Sequence, residues 1–176
     1  MKKILLSAQE ISNMTTQLGV KLSDHINKNS MQIPTVFCML DGAFRFYADL
    51  VKCIGTPIKC DFIKVSSYEG MRQTQMRVHK FPKYPIVGKD IILVDDILDT
   101  GNTINFIINK FKEYSPKSIT VITLIKRKDS PALDPSIHYI NGFEINNEWI
   151  AGYGMDDLED TSRNLNYIFE VEKIKE

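Results

Sequence analysis

The sequence holds one tryptophan, three histidines and three cysteines, and its longest early apolar run, Ile4-Leu5-Leu6, spans three residues. Each scarcity removes a class of protein. A run that short cannot form the core of a secretion signal, and no stretch approaches a membrane span. Cys38, Cys53 and Cys60 are odd in number and show no Cys-x-x-Cys spacing, so core thiols in a reducing cytosol are expected, not a disulfide framework or a zinc site. His25, His79 and His138 are scattered and read as ordinary surface or core residues. A surplus of charge is missing too, since 22 basic residues balance 22 acidic ones; no global field draws the chain to nucleic acid or membrane. There is no Gly-x-Gly-x-x-Gly and no Gly-x4-Gly-Lys-Ser/Thr, which argues against dinucleotide dehydrogenases and P-loop kinases. The expectation is a cytoplasmic protein with no membrane and no nucleic-acid partner.

What is present can build one core. A chain of 176 residues with 43% hydrophobic content is most simply one domain. Ile11, Met14, Leu18, Leu22 and Ile26 recur at helical spacing and predict a helix over residues 8–29. Residues 35–40 read as a buried strand, 43–54 as a helix with Phe44, Tyr47, Leu50, Val51 and Ile54 inward, and 58–65 as a second strand. The polar stretch 67–89 contains Gly70, Pro82, Pro85 and Gly88; a connection this long is functional or carries a hairpin of its own. Residues 90–94 and 118–125 are continuous apolar strands flanking a helix over 103–114, with Ile104, Ile107, Ile108 and Phe111 on one face. Short strands follow at 139–145, 149–152 and 167–171. Apolar strands alternating with helices imply an α/β fold, a mostly parallel twisted sheet covered on both faces.

The densest signal is Ile91-Ile92-Leu93-Val94-Asp95-Asp96-Ile97-Leu98-Asp99-Thr100-Gly101-Asn102-Thr103. A buried strand delivers two adjacent carboxylates, then a small-residue turn, to the start of a helix. Ligands of open α/β sheets sit outside the carboxyl ends of the strands. A helix N-terminus there offers free N–H groups suited to phosphate, and nearby acids suit sugar hydroxyls, Mg²⁺, or both. Read blandly, the same residues are a strand–helix connection with Thr or Asn as cap and a solvated acid pair.

Val94 through Thr103 resembles the phosphoribosyl-pyrophosphate (PRPP) motif of the type I phosphoribosyltransferases, in the form of the hypoxanthine-guanine branch. The resemblance extends to Leu40-Asp41-Gly42, Ser66-Ser67-Tyr68, Lys126-Arg127 and the segment from Phe143 to Arg163, five segments in the family's order. It implies the type I phosphoribosyltransferase fold: a core over about residues 30–135, with a small hood built from the N-terminal segment and about 136–176. It also implies purine salvage, the Mg²⁺-dependent transfer of ribose 5-phosphate from PRPP to hypoxanthine or guanine. The products would be IMP or GMP and pyrophosphate. Relatives of this kind are homodimers or homotetramers.

Carried residue by residue, the resemblance gives these expectations. Asp99, Thr100, Gly101, Asn102 and Thr103 cradle the 5′-phosphate, and Asp95 and Asp96 face the ribose hydroxyls and, in part, the metal. Asp99 is the general acid/base near N7 of the purine, a role compatible with capping the helix. Asp41 and Gly42 form the pyrophosphate loop. Ser67 and Tyr68 begin a lid that excludes water. Lys126 donates to the purine 6-oxo group and so selects against a 6-amino base. Trp149 stacks on the purine, and Ile150 offers backbone groups to its edge. Asp156 binds Mg²⁺ and Arg163 contacts pyrophosphate through its guanidinium fork.

The chain also departs from the family's pattern. Asp95 stands where Glu is frequent, and Asp41 where a basic or amide residue is frequent. Residues 71–77 lack the usual Ser/Thr-Gly richness; Arg72, Arg77, His79, Lys80 and Lys83 make that region basic. Residues 157–162 are acidic and one residue longer than usual. The alternatives are a non-catalytic PRPP- or nucleotide-sensing regulator on the same fold, or a transferase preferring xanthine.

Overall fold

Ser7 starts the first helix through a reciprocal capping box. Its hydroxyl accepts from the Glu10 amide, and the Glu10 carboxylate accepts from the Ser7 amide. The computed structural model describes residues 3–69, 74–80, 82–157, 159 and 161–172. Its strands are β1 (Lys3–Leu6), β2 (Thr35–Leu40), β3 (Lys59–Glu69), β4 (Thr74–Lys80), β5 (Asp90–Leu98), β6 (Ser118–Arg127), β7 (His138–Ile145), β8 (Ile150–Ala151) and β9 (Ile168–Glu170). Its helices are α1 (Ala8–Lys28), α2 (Phe44–Lys52) and α3 (Asn102–Lys112).

Six strands form the main sheet in the order β4-β3-β2-β5-β6-β7. All neighbours are parallel except the β3–β4 hairpin at one edge. The architecture is the mostly parallel sheet flanked by helices expected from the sequence. Strand alternation divides the core between two faces. Val36, Ile92, Val94, Ile122 and Leu124 pack with Leu18 and Leu22 of α1 and Phe46 and Leu50 of α2. Phe37, Ile91, Leu93, Ile119 and Val121 pack with Ile104, Ile107, Ile108 and Phe111 of α3. Each fully buried Leu, Ile or Phe contributes about 1.5–3 kcal/mol, so both helical layers are held without help from disulfides.

This topology positions the site. From β2 the chain crosses through α2 to β3 on one side; from β5 it crosses through α3 to β6 on the other. The adjacent pair β2 and β5 is therefore the switch point, where the two loops diverge and leave a crevice. β1, β9 and β8 form a separate antiparallel three-stranded sheet, with Lys3 opposite Glu170 and Ile150 opposite Glu170 on the other side.

Several elements differ from expectation. β7, expected in the hood, pairs in parallel with β6 from Thr120 to Arg127, so the main sheet reaches Ile145. Its apolar positions close the sheet edge beside α1. β5 and β6 outrun their apolar stretches because each supplies the other's hydrogen-bond partners, as far as Leu98 opposite Lys126. Cys38 is buried, but Cys60 is exposed, because the period of β3 turns Asp61 and Ile63 inward instead. The inward Asp61 accepts from the Phe62 and Lys83 amides and pairs with Lys80. His25 stacks on His138 with ring centroids 3.9 Å apart. Among the described residues no helix is long and apolar enough to cross a membrane.

Candidate active site

The loop after β5 turns into α3 at Gly101, whose φ of 75° lies in the left-handed region. Gly101 accepts from the Asn105 amide at 2.9 Å. Asn102 lies 3.4 Å from the Thr100 hydroxyl. The first-turn amides of α3 have no partner within the helix, and the macrodipole favours an anion beside them. A pocket of about 320 Å³ opens here, lined by Asp95, Asp96, Asp99, Thr100, Gly101, Asn102 and Thr103, with Leu40 at the end of β2 and Gly42 in the loop after it also on its wall.

Asp95 and Asp96 are half-buried on this wall. Burial, with the neighbouring Asp96 charge second, pushes the Asp95 carboxyl well above its ordinary value. Burial also raises Asp96, partly offset by hydrogen bonds and the positive charge of Arg163. Two carboxylates held this way gain from any bound hydroxyl donor or cation.

Across the crevice, β2 ends in a cis peptide between Leu40 and Asp41. The Asp41 carboxylate turns to Lys64, 2.8 Å away, so its charge is met by a cation. Asp41 is absent from both pocket walls, while Gly42 is on each.

A second pocket of about 460 Å³ shares Gly42, Asp96, Ile97 and Asp99 with the first. Its other walls are Arg127, Trp149, Ile150, Met155, Asp156, Asp157 and Arg163. Trp149 is 50% exposed and Ile150 is buried. Arg163 contacts the Asp156 carboxylate and donates to the Gly154 carbonyl at 2.7 Å. Asp157 accepts from the hydroxyls of Ser162 and Thr161 and from the Thr161 amide. These bonds, led by Ser162, hold its carboxyl down at about 2. Asp157 thus ties Thr161 and Ser162 together just ahead of Arg163; Leu158 and Asp160 lie outside the described residues.

Ser67 and Tyr68 lie on β3, opposite Met76 and Gln75 of β4, so the lid segment starts as a hairpin. Met71, Arg72 and Gln73 lie outside the described residues. Lys126 does not line either pocket; it is 3.8 Å from Glu144. Strand alternation turns its neighbour Arg127 inward instead. Arg127, Met155 and Asp157 were given no role from the sequence, where Arg127 stands only beside Lys126 in a matched segment. No sequence signal separates it from Lys126, because the apolar run of β6 is continuous and shows no alternation.

Among the described residues, no group of three or more His, Cys, Asp or Glu could by itself hold a metal. Asp95, Asp96 and Asp156 nonetheless have the donor chemistry for Mg²⁺, which binds through one or two carboxylates and completes its shell with water and substrate oxygens.

The family described as phosphoribosyl transferase domain matches residues 8–158. A hypoxanthine-guanine phosphoribosyltransferase of Streptococcus thermophilus is 35% identical over 170 residues, 95% of this chain and 91% of the relative. The corresponding enzyme of Bacillus subtilis is 32% identical over 169 residues, with the same coverage. The crystal structure of a Bacillus anthracis hypoxanthine-guanine phosphoribosyltransferase superposes with a TM-score of 0.86 at 30% identity, covering 98% of this chain and 99% of that one. The Trypanosoma cruzi hypoxanthine phosphoribosyltransferase, in complex with the product IMP, gives 0.84 at 26% identity, covering 97% and 94%.

Proposed function

The chain belongs to the phosphoribosyltransferase family, and from that premise we propose how its two pockets divide one reaction of purine salvage. The enzyme is a phosphoribosyltransferase of the hypoxanthine-guanine kind. Its substrates are PRPP and hypoxanthine or guanine, and its products are IMP or GMP with pyrophosphate. The observation that carries this division is the shared wall: Gly42, Asp96 and Asp99 face both cavities.

The first pocket takes the ribose 5-phosphate. The α3 amides, with the hydroxyls of Thr100 and Thr103, donate to the 5′-phosphate. Asp95 and Asp96 accept hydrogen bonds from the ribose hydroxyls. The second pocket takes the purine against Trp149, its edge on the backbone at Ile150. Arg163 and the amide at Gly42 receive the pyrophosphate. Asp156, with Asp95 or Asp96, would hold Mg²⁺ together with substrate oxygens, and the ion would supply neutralisation of charge on the leaving group.

In the reaction, N9 of the purine bonds to C1′ of the ribose as the bond from C1′ to pyrophosphate breaks. Asp99 takes the proton from N7. Lys126 reaches the 6-oxo group by leaving its loose contact with Glu144, and a 6-amino group would set donor against donor. Ser67 and Tyr68 begin the segment that covers PRPP and keeps water from the oxocarbenium-like centre. Such an enzyme works in the cytoplasm as a homodimer or homotetramer; the exposed Phe44 and Phe62 suit a contact between copies.

The test is pyrophosphate release with PRPP and Mg²⁺, run separately with hypoxanthine, guanine, xanthine and adenine. Turnover with the first two and none with adenine is expected. Binding of PRPP without turnover of any base would replace the enzyme reading with a sensor.

A further inference from the structure

Arg127 is the last residue of β6, and the roles above make no use of it. Its guanidinium makes three contacts at once. Nε stands 2.9 Å from Oδ1 of Asp99. Nη1 donates to the carbonyl of Asn146 at 3.1 Å and to that of Glu148 at 2.8 Å. The Arg127 side chain is 15% exposed, against 53% for Asp99. A nearly buried cation therefore grips a carboxylate that would otherwise stand free on a solvent-facing loop.

The sheet order explains why this residue can do so. Asp99 follows β5 and Trp149 follows β7, and β6 lies between those two strands. The end of the middle strand is within reach of both loops. One of them is already tied, by the Lys128 amide donating to the Ile145 carbonyl at 2.9 Å and by the Asn147 side-chain amide donating to the Asp129 carboxylate at 3.1 Å. The loop bearing Asp99 is linked to the loop before Trp149 by the Arg127 fork. A purine lying on Trp149 with N7 at Asp99 touches both loops, so its reacting geometry is set by the distance between them.

We propose that Arg127 is a positioning residue that fixes the proton-accepting carboxylate of Asp99 relative to the purine wall at Trp149. The inference rests on the reading of Asp99 and Trp149 given above. It assigns Arg127 to the base half of the site and not to the PRPP half. One carboxylate oxygen of Asp99 is committed to the guanidinium, and the other serves the purine. Lysine cannot replace the fork, because a single ammonium lacks the fixed, diverging donors that reach two loops together.

The experiment compares wild type with Arg127→Gln and Arg127→Lys, measuring kcat and the KM of each substrate separately, with a thermal melt for each variant. For Arg127→Gln, KM for hypoxanthine is expected to rise about tenfold and kcat to fall about tenfold, because small misplacements of reacting groups carry costs of this order. KM for PRPP should stay within about twofold, a split that a general loss of structure would not produce. Arg127→Lys should recover only part of the loss. In an Asp99→Asn background, Arg127→Gln should lower kcat little further, while still raising KM for hypoxanthine.

Equal changes in both KM values, or no change in a folded variant, overturn the proposal. So does failure of both variants to fold, which would make Arg127 a folding residue. Absence of purine turnover by the wild type would instead overturn the underlying functional reading. Wild-type turnover without the selective split would overturn the role of Arg127 alone.

Discussion

A β-carbon placed on Gly42 would stand 2.0 Å from Oδ2 of Asp96. The loop after β2 and the carboxylate on β5 thus meet with no room for a side chain between them. Gly42→Ala must push Asp96 away from the wall common to both pockets. We expect kcat/KM to fall about a hundredfold, with a melting temperature only a few degrees lower, read by kinetics and thermal melts side by side. Near wild-type activity would mean that Asp96 does not hold substrate.

Asp99→Asn keeps the size of the side chain but loses its capacity as a base. The expected result is a loss in kcat of about 10²–10⁴-fold, with PRPP affinity within about twofold. Calorimetric titration with PRPP separates the two quantities. Unchanged kcat would move the proton to another group.

Trp149 is the sole tryptophan and is half exposed at the pocket edge, so intrinsic fluorescence reports on this one place. Saturation with GMP should quench or shift it. Trp149→Ala should weaken purine binding by about tenfold to a hundredfold, the scale of about 1–3 kcal/mol measured for base–aromatic stacking. Trp149→Phe should recover most of it. A fluorescence spectrum indifferent to GMP would remove Trp149 from the site.

His25 predicts an acid-sensitive stability. Burial first, and the stacked His138 second, lower its pKa from the ordinary 6.5, with Asp90 acting in the opposite direction and Lys28 adding slightly. The ring also bonds Thr120 and Asn29 through its two nitrogens. The unfolded chain therefore takes up the proton more readily than the folded one. Stability from this site is complete above about pH 6.5 and erodes as pH falls below it. Thermal melts at pH 7.5 and 5.5 should differ more for the wild type than for His25→Gln. Equal differences would show that other groups carry the acid sensitivity.

Much of this was legible in the chain. Ile104, Ile107, Ile108 and Phe111 were predicted as one helical face and are all buried. The Asp99–Thr103 turn lies where its composition put it, between a strand and a helix. Tertiary context supplied the rest. Two adjacent carboxylates look like the end of a strand, yet β5 continues through them because β6 offers partners. β1 is four residues long and exists as a strand by pairing with β9, far away in sequence. Lys126 and Arg127 are adjacent cations with no difference in composition to separate them. The pleat of β6 is what turns one toward Glu144 and the other toward Asp99.

The pairing of Lys3 with Glu170 sets a schedule for assembly. The first pocket is made from residues between 39 and 104, all of which are synthesised well before β9. The wall of the second pocket at Ile150 is held by β9, and β9 lies between β8 and β1. Closing so long a loop must wait until β9 has been made. A growing chain can therefore form its first pocket well before the second has its wall.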